Sequence, residues 1–342
     1  MKTATPQLAR AINDRLALDL LLERGPLTAP QLRALTGLSR PTVSDLIERL
    51  QVNGLIQVAG ESGGDRRGPN ARLYGIVADR AFVGGVDVRR DVINVTVADI
   101  TGATVGSATR PLGDNLPGLV ADALTEAAGS RPLHAVVIGA PGLVDPKTGD
   151  FAAGNVEPAW RPGLLSALRT LVDAPVTMEN EVNLAAVAEH ATGAAAGRDD
   201  FVLLWLDDGI GAAVVLDGKV RRGVSGGAGE IGFLGRLDIT VCDLLRTDAV
   251  RGLDLPALAE RVAGAAFTLV AVVDPGLVVL GGATGMAGGD PLAALVAERL
   301  AQVSPVPVHV RVSGIPDNPV LRGAVSTALS IARDAVFGQG RR

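Results

Sequence analysis

The chain has 342 residues, of which 47% are hydrophobic and 20% are charged, and its formal net charge is −5. This composition excludes an intrinsically disordered protein, and the net negative charge argues against one that coats nucleic acid with its whole surface. The length predicts two or three domains. The single cysteine, Cys242, excludes an internal disulfide and a zinc site built from several cysteines.

No apolar run approaches the roughly 18 residues that span a bilayer. The most apolar stretch, residues 262–273, is ended by Asp274. The first residues include Lys2 and Arg10 but no apolar segment typical of a secretory signal. We therefore expect a cytoplasmic protein with no membrane partner.

Residues 1–77 predict a separate small domain. Residues 1–75 hold ten Lys and Arg against seven Asp and Glu, so the positive charge is concentrated at this end. Residues 7–24 show helical spacing of apolar side chains, at Leu8, Ile12, Leu16 and Leu20, and Gly25-Pro26 ends this helix.

Two short capped helices follow. Thr28 is a good N-cap, with Pro30 in the first turn, and Ser39 caps the next helix after a turn at Gly37. The second helix carries one apolar stripe, formed by Val43, Leu46, Ile47 and Leu50. This arrangement predicts a helix-turn-helix whose second helix enters the major groove of DNA.

Residues 55–76 predict a strand, a basic Gly-rich loop and a second strand, which together form the wing of a winged helix. The expected partner is double-stranded DNA with a palindromic operator, and we expect the chain to form a homodimer or a dimer of dimers. The candidate DNA contacts are Thr28, Gln31, Ser39, Arg40, Thr42, Val43, Ser44, Arg49, Arg66 and Arg67.

From residue 78 onward, the pattern is α/β. Three antiparallel strands followed by alternating helices and strands occur roughly twice, which suggests two related lobes around a cleft. Strands are predicted at 82–88, 92–99, 103–109, 134–139, 175–178, 277–282 and 306–312, and helices at 117–128, 163–172, 181–197, 290–302 and 319–336.

Several motifs along the chain occur in an order and at a spacing that together are specific enough to indicate a family. After the winged helix come "GVDVRRDVINVTVADITG", "VVIGAPGLVDPKTG", "GNVEPAW", "VTMENEVNLAAVAE", "DDGIGAAVVLDGKVRRGVSGGAGEIGF" and "DPGLVVLGG". With these motifs the chain resembles the ROK family (repressors, open reading frames and sugar kinases), specifically its regulator branch, over about residues 10–337.

The resemblance implies an actin-like, ribonuclease H-type sugar-kinase fold for residues 78–342. Lobe 1 would comprise about 78–185 plus the helix at 319–337, and lobe 2 about 186–318. The cleft would bind a sugar or sugar phosphate as effector. In the family, regulators release or bind DNA in response to such a ligand.

Kinase chemistry requires a glycine-lined phosphate loop and a carboxylate base. The family's kinases have Asp-x-Gly-x-Thr near the first hairpin, whereas this chain has Asp87, Arg89 and Asp91, without the Gly and the Thr. The family's catalytic Asp follows an Asn; here the pair is Asn180-Glu181, and the longer side chain moves the carboxylate by on the order of 1 Å. We predict no catalytic residue and no cofactor.

By the same resemblance, Asn155, Asn180, Glu181 and Glu230 are the candidate ligand contacts. The family's His and Cys-rich zinc loop are absent, with Phe233 in the place of the His, so we predict no metal site.

The favoured hypothesis is a transcriptional repressor with an effector pocket. Two alternatives remain: an active sugar kinase with a DNA-binding domain, and a regulator whose second domain serves only for dimerisation.

Overall fold

The structure is a computed structural model that describes residues 6–62, 71–151, 160, 162–236 and 239–338. The N-terminal unit contains three helices and a three-stranded antiparallel sheet in which the third strand is central. Its elements are α1 (Pro6–Arg24), β1 (Leu27–Thr28), α2 (Ala29–Thr36), α3 (Arg40–Val52), β2 (Ile56–Ser62) and β3 (Ala71–Ile76).

The capping predictions for this unit are confirmed. Thr28 and Gln31 form a capping box at α2, the Ser39 side chain accepts from the Thr42 N–H at α3, and Gly37 ends α2 with φ 71°. The two-residue strand β1, which pairs with β3, was not predicted. It is too short to show alternation of apolar side chains.

The helical spacing in α1 predicted the helix but not its buried face. Leu8, Ile12 and Leu16 are exposed, whereas Leu18 and Leu21 are buried. Leucines occur on several faces of α1, so tertiary contacts, and not the spacing alone, determine which face is buried.

A five-stranded sheet forms the centre of the first lobe, in the order β6-β5-β4-β7-β8. Strands β4 to β6 are antiparallel neighbours, and β7 and β8 continue the sheet in parallel. The elements are β4 (Phe82–Val88), β5 (Val92–Asp99), β6 (Thr104–Pro111), α4 (Leu116–Ala128), β7 (Leu133–Ala140), α5 (Leu164–Leu171) and β8 (Val176–Asn180).

The second lobe repeats the same strand pattern, in the order β11-β10-β9-β14-β15. Its helix α8 was not predicted, and α9 begins eight residues earlier than expected because a helical segment precedes the kink at Gly289. The elements are α6 (Glu181–Thr192), β9 (Phe201–Leu206), β10 (Ile210–Leu216), β11 (Lys219–Val220), β12 (Gly235–Arg236), β13 (Ile239–Thr240), α7 (Val241–Leu245), α8 (Leu255–Val273), β14 (Leu277–Gly281), α9 (Gly282–Val303) and β15 (His309–Val312).

Helix α10 (Pro319–Phe337) returns to pack on β4, β7 and α6. The core between the two sheets joins Val83 and Val137 of the first lobe to Leu203 and Val279 of the second, with α6 and α10 between them. The repeated sheet order and the central helices confirm the predicted α/β fold class with two lobes.

Helix α8 is long and apolar enough to cross a membrane by length and composition, so the expectation that no segment reaches this limit was wrong. Its buried residues, among them Val262, Ala266 and Leu269, lie in the core beneath the second sheet. That packing is typical of a core helix.

Candidate functional site

The β4–β5 hairpin is closed by an ion pair at the position where the sequence suggested a phosphate loop. Asp87, at the end of β4, is fully buried, and its Oδ2 accepts from Arg89 Nε at 2.8 Å and from Asn318 Nδ2 at 2.7 Å. Asp87 Oδ1 has no hydrogen-bond partner among the described residues. Arg89 is therefore the positive charge that compensates a buried carboxylate.

Arg89 also reaches the second lobe. Its guanidinium lies 5.9 Å from the centre of the Trp205 ring, a distance suited to a cation–π contact. Burial lowers the pKa of Arg89, but the charge and hydrogen bond of Asp87, together with the charges of Glu181 and Asp207, outweigh burial and raise it. The guanidinium is held in its charged form between the lobes.

Two neighbouring cavities share Arg89, Trp205 and Asp207 in their walls. The first, which we call the cleft cavity, has a volume of about 500 Å³ and is lined by Val88, Arg89, Arg90, Leu112, Pro141, Trp160, Glu181, Trp205, Asp207, Asp208 and Gly209. The second, the α9 cavity, has a volume of about 410 Å³ and is lined by Arg89, Asn94, Trp205, Asp207, Gly282, Ala283, Met286, Ser313, Ile315, Pro316, Asn318 and Pro319.

The four predicted ligand contacts have different surroundings. Glu181 lines the cleft cavity. Asn180 holds the start of α6: its Oδ1 accepts from the Val182 and Asn183 N–H groups, and its Nδ2 donates to the Gly142 carbonyl. Glu230 is partly buried, and burial raises the pKa of its carboxyl. Asn155 lies outside the described residues.

Four polar or aromatic residues of the cleft cavity were missed by the sequence reading: Trp160, Trp205, Asp207 and Asp208. Two signals were available. The chain has two tryptophans in total, and an acidic pair directly follows the apolar strand "FVLLWL". Consecutive carboxylates at the end of a buried strand are a useful sign of a site.

A second ion pair also joins the two lobes. Arg222, in the segment after β11, donates from Nε to Glu179 Oε2 at 2.6 Å. Glu179 is buried at the end of β8 and also accepts from the Asn183 side chain. This ion pair ties the glycine-rich segment of the second lobe to the strand that precedes Asn180-Glu181.

The winged-helix unit presents the start of α3 to solvent. Ser39, Arg40 and Ser44 are exposed, Thr42 is partly exposed with its hydroxyl 2.8 Å from that of Ser39, and Gln31 is exposed at the start of α2. A groove of about 470 Å³ between α2, α3 and β3 includes Arg40 and also Arg33, which the sequence reading did not select.

Three of the residues predicted to contact DNA also have structural roles in the winged helix. Val43 is buried in the core of the winged helix, because it lies on the inward stripe of α3. Thr28 is buried and caps α2, and Arg49, in the last turn of α3, donates to Asp14 of α1 at 2.6 Å. Arg66 and Arg67 lie outside the described residues.

Comparisons with known proteins agree with these two units. The sequence profile of the ROK family matches residues 83–243, and that of the MarR family matches residues 12–68. The chain therefore contains a ROK-family domain preceded by a MarR-like winged-helix domain. It is 30% identical over 246 residues to the xylose repressor of Bacillus subtilis (strain 168), and this alignment covers 68% of the chain and 63% of that repressor's length.

Solved ROK structures share the fold. A ROK-family transcriptional regulator described as a homologue of the E. coli MLC protein superposes with a TM-score of 0.75 at 16% identity, over 97% of this chain and 98% of that one. A ROK hexokinase from Thermus thermophilus superposes with a TM-score of 0.63 at 27% identity, over 74% of this chain and 99% of the hexokinase. Both regulators and kinases of the family therefore share the two-lobed architecture.

Proposed function

We propose that the chain is a sequence-specific DNA-binding transcriptional repressor whose two-lobed domain binds an effector without transferring phosphate. The observation that carries the proposal is the union of two features in one chain. The start of the recognition helix, α3, is exposed. In the kinase-type domain of the same chain, the Arg89–Asp87 ion pair lies in the β4–β5 hairpin, where the family's kinases have their phosphate loop. A repressor needs an exposed recognition helix, whereas an ion pair in the place of the phosphate loop hinders the phosphate binding that a kinase requires.

The DNA-binding surface of the proposal consists of the exposed groups near the start of α3. Arg40 and Ser44 would reach base edges or phosphates, supported by Gln31, Ser39 and Thr42 and by Arg66 and Arg67 of the wing segment. Arg33 extends this surface on α2. A homodimer would place two such helices on half-sites separated by about one helical turn of DNA, or by a multiple of it.

Helix α10 supplies a direct route from the cleft to the winged helix. Its N-cap residue, Asn318, donates to Asp87 in the cleft. At its other end, Asp334 accepts from Arg15 of α1 at 2.7 Å, and Phe337 packs into the winged-helix core. A ligand that favours one interlobe arrangement would thus bias the position of the DNA-binding unit.

The test is DNA-binding selection from genomic fragments with the full chain, followed by mobility-shift titration. Arg40→Ala should weaken binding to the selected site by about 1–3 kcal/mol if it contacts a base. Arg246→Ala is the matched control, since it removes the same charge from an exposed position in the second lobe. Failure to select any site, or equal affinity for the two variants, would contradict the proposal.

The second candidate is a hexose kinase, which the match to the Thermus thermophilus hexokinase favours. It is tested by ATP turnover with a panel of hexoses. Measurable phosphorylation of any hexose would contradict the non-enzymatic part of the proposal and leave the DNA-binding part intact.

A further inference from the structure

A third cavity lies at the junction between the winged helix and the two-lobed domain, and we call it the junction cavity. Its volume is about 290 Å³. Its wall combines α1, the end of α3 and the end of α10 with Arg80, in the short helical turn Ala78–Arg80 that connects β3 to β4. Ligand pockets of proteins usually have volumes of about 300–1,000 Å³, so this cavity suits a small molecule. It shares no wall residue with the cleft cavity or the α9 cavity among the described residues.

Most of the wall of the junction cavity is apolar. The apolar wall residues are buried and come from both units of the chain: Leu18, Leu50, Leu55, Val336 and Phe337. A ligand group that covered these side chains would gain hydrophobic free energy in proportion to the apolar area removed from water. The cavity therefore favours a ligand with a short apolar body.

The polar groups of the wall favour a single negative charge. Asp14 is already paired, because its Oδ1 accepts from Arg49 Nη2 at 2.6 Å. The guanidinium of Arg80 is exposed and has no hydrogen-bond or ion-pair partner among the described residues. Asn53 adds an amide donor to the same wall. A guanidinium without a partner matches a carboxylate, to which it can donate two parallel hydrogen bonds.

We propose that the junction cavity binds a small monocarboxylate with a short aliphatic body. The carboxylate pairs with Arg80, and the aliphatic body lies on the leucines and Phe337. A bound ligand would contact α1, α3 and α10 together, so it would stabilise the docked position of the winged helix. The site lies apart from the cleft, and the inference does not depend on which ligand the cleft binds.

Three probes with the same aliphatic chain test the charge requirement: hexanoate, hexanamide and hexylamine. The full chain is titrated with each, and binding is followed by ligand-observed NMR. We expect saturable binding of hexanoate with a Kd of about 1 mM or below, about tenfold weaker binding of hexanamide, and no saturable binding of hexylamine. Tryptophan fluorescence should stay unchanged, because both tryptophans of the chain line the cleft cavity.

Three outcomes of these titrations would overturn the proposal. The first is the absence of saturable hexanoate binding. The second is equal or tighter binding of hexanamide or hexylamine, which would remove the role of the charge. The third is a saturable change in tryptophan fluorescence, which would place the probe in the cleft.

A charge variant tests the role of Arg80. Arg80→Gln alters an exposed side chain and should weaken hexanoate binding about tenfold, while hexanamide binding stays unchanged. Arg251→Gln, which removes an exposed arginine between α7 and α8 of the second lobe, is the matched control and should bind hexanoate as the unaltered chain does. Equal hexanoate affinity of the two variants would contradict the pairing with Arg80.

A second pair of variants tests the location of the site. Ala11→Leu places a larger side chain in the wall of the junction cavity and should abolish the binding of hexanoate and of hexanamide. Ala9→Leu makes the same change at an exposed position of α1 outside that wall and should alter neither. Unchanged binding in Ala11→Leu would overturn the proposal. These titrations contain no DNA, so loss of operator binding in the mobility-shift assay would count against the proposed function alone.

Discussion

At the scale of single residues, one difference from the family's kinases affects phosphate binding: the β4–β5 hairpin has Arg89 where those kinases have glycine. A phosphate loop requires glycine so that backbone N–H groups approach the anion closely. Arg89 brings a side chain into that space and pairs it with Asp87, the residue that matches the family's Asp-x-Gly-x-Thr loop. Every residue of β4 is still paired with β5, so the hairpin itself is retained. The loop at its tip supplies the arginine of an ion pair instead of a phosphate site.

The Arg89–Asp87 pair yields a stability prediction. Arg89→Met keeps much of the side chain but leaves Asp87 buried with Asn318 as its remaining side-chain partner, and the free energy of unfolding should fall by about 3 kcal/mol. Asp87→Asn in the same background should restore most of this loss. Urea denaturation of the single and double variants measures the coupling.

The matched control for this cycle is Arg90→Met. Arg90 is 79% exposed, so its loss should change stability by no more than about 0.5 kcal/mol. If Arg89→Met were as mild as Arg90→Met, the role of Arg89 as counter-ion would be contradicted.

At the scale of elements, the packing of α10 against α6 depends on one glycine. A Cβ at Gly323 would overlap the carbonyl oxygen of Leu184, because the two helix backbones approach closely there. Gly323→Ala should destabilise the protein by about 1–3 kcal/mol through overpacking. Gly264→Ala in α8 adds the same methyl group to an exposed helix position with open space around it, and should stabilise by about 1 kcal/mol.

Thermal unfolding of these two glycine variants gives a clear comparison. A lower Tm for Gly323→Ala and a raised Tm for Gly264→Ala are expected. If both substitutions raised the Tm, the close contact between α10 and α6 would be wrong.

Elements whose signal is local were predictable from the sequence. The alternation in "GVDVRRDVINVTVADITG" and the caps at Thr28 and Ser39 each depend on neighbours in the chain. The site depends on distant neighbours: Asn318 contacts Asp87 across 231 positions, and Asp207 contacts the start of α9 across 76. The family resemblance predicted the cleft between the lobes. The pairing of the charged side chains in it depends on residues far apart in the chain, so no local sequence pattern could predict that pairing.

At the scale of the whole molecule, the winged helix and the two-lobed domain share one core. Ile100, Val336 and Phe337 of the larger domain pack with Leu18 of α1 and Leu50 of α3. The guanidinium of Arg15 lies 5.9 Å from the Phe337 ring and also pairs with Asp334. The DNA-binding unit is therefore docked on the end of α10, whose other end lies in the cleft.

This shared core predicts the calorimetric behaviour of the chain. Phe337→Ala removes a buried ring from the junction, and losses of this kind are worth about 3–5 kcal/mol. The winged helix should then unfold in a separate transition at lower temperature, whereas the unaltered chain unfolds with the two units coupled. Val272→Ala, at a position 82% exposed on α8, is the control and should leave the thermogram unchanged. A single unshifted transition in Phe337→Ala would show that α10 does not couple the units, and would remove the physical basis for carrying a signal from the cleft to DNA.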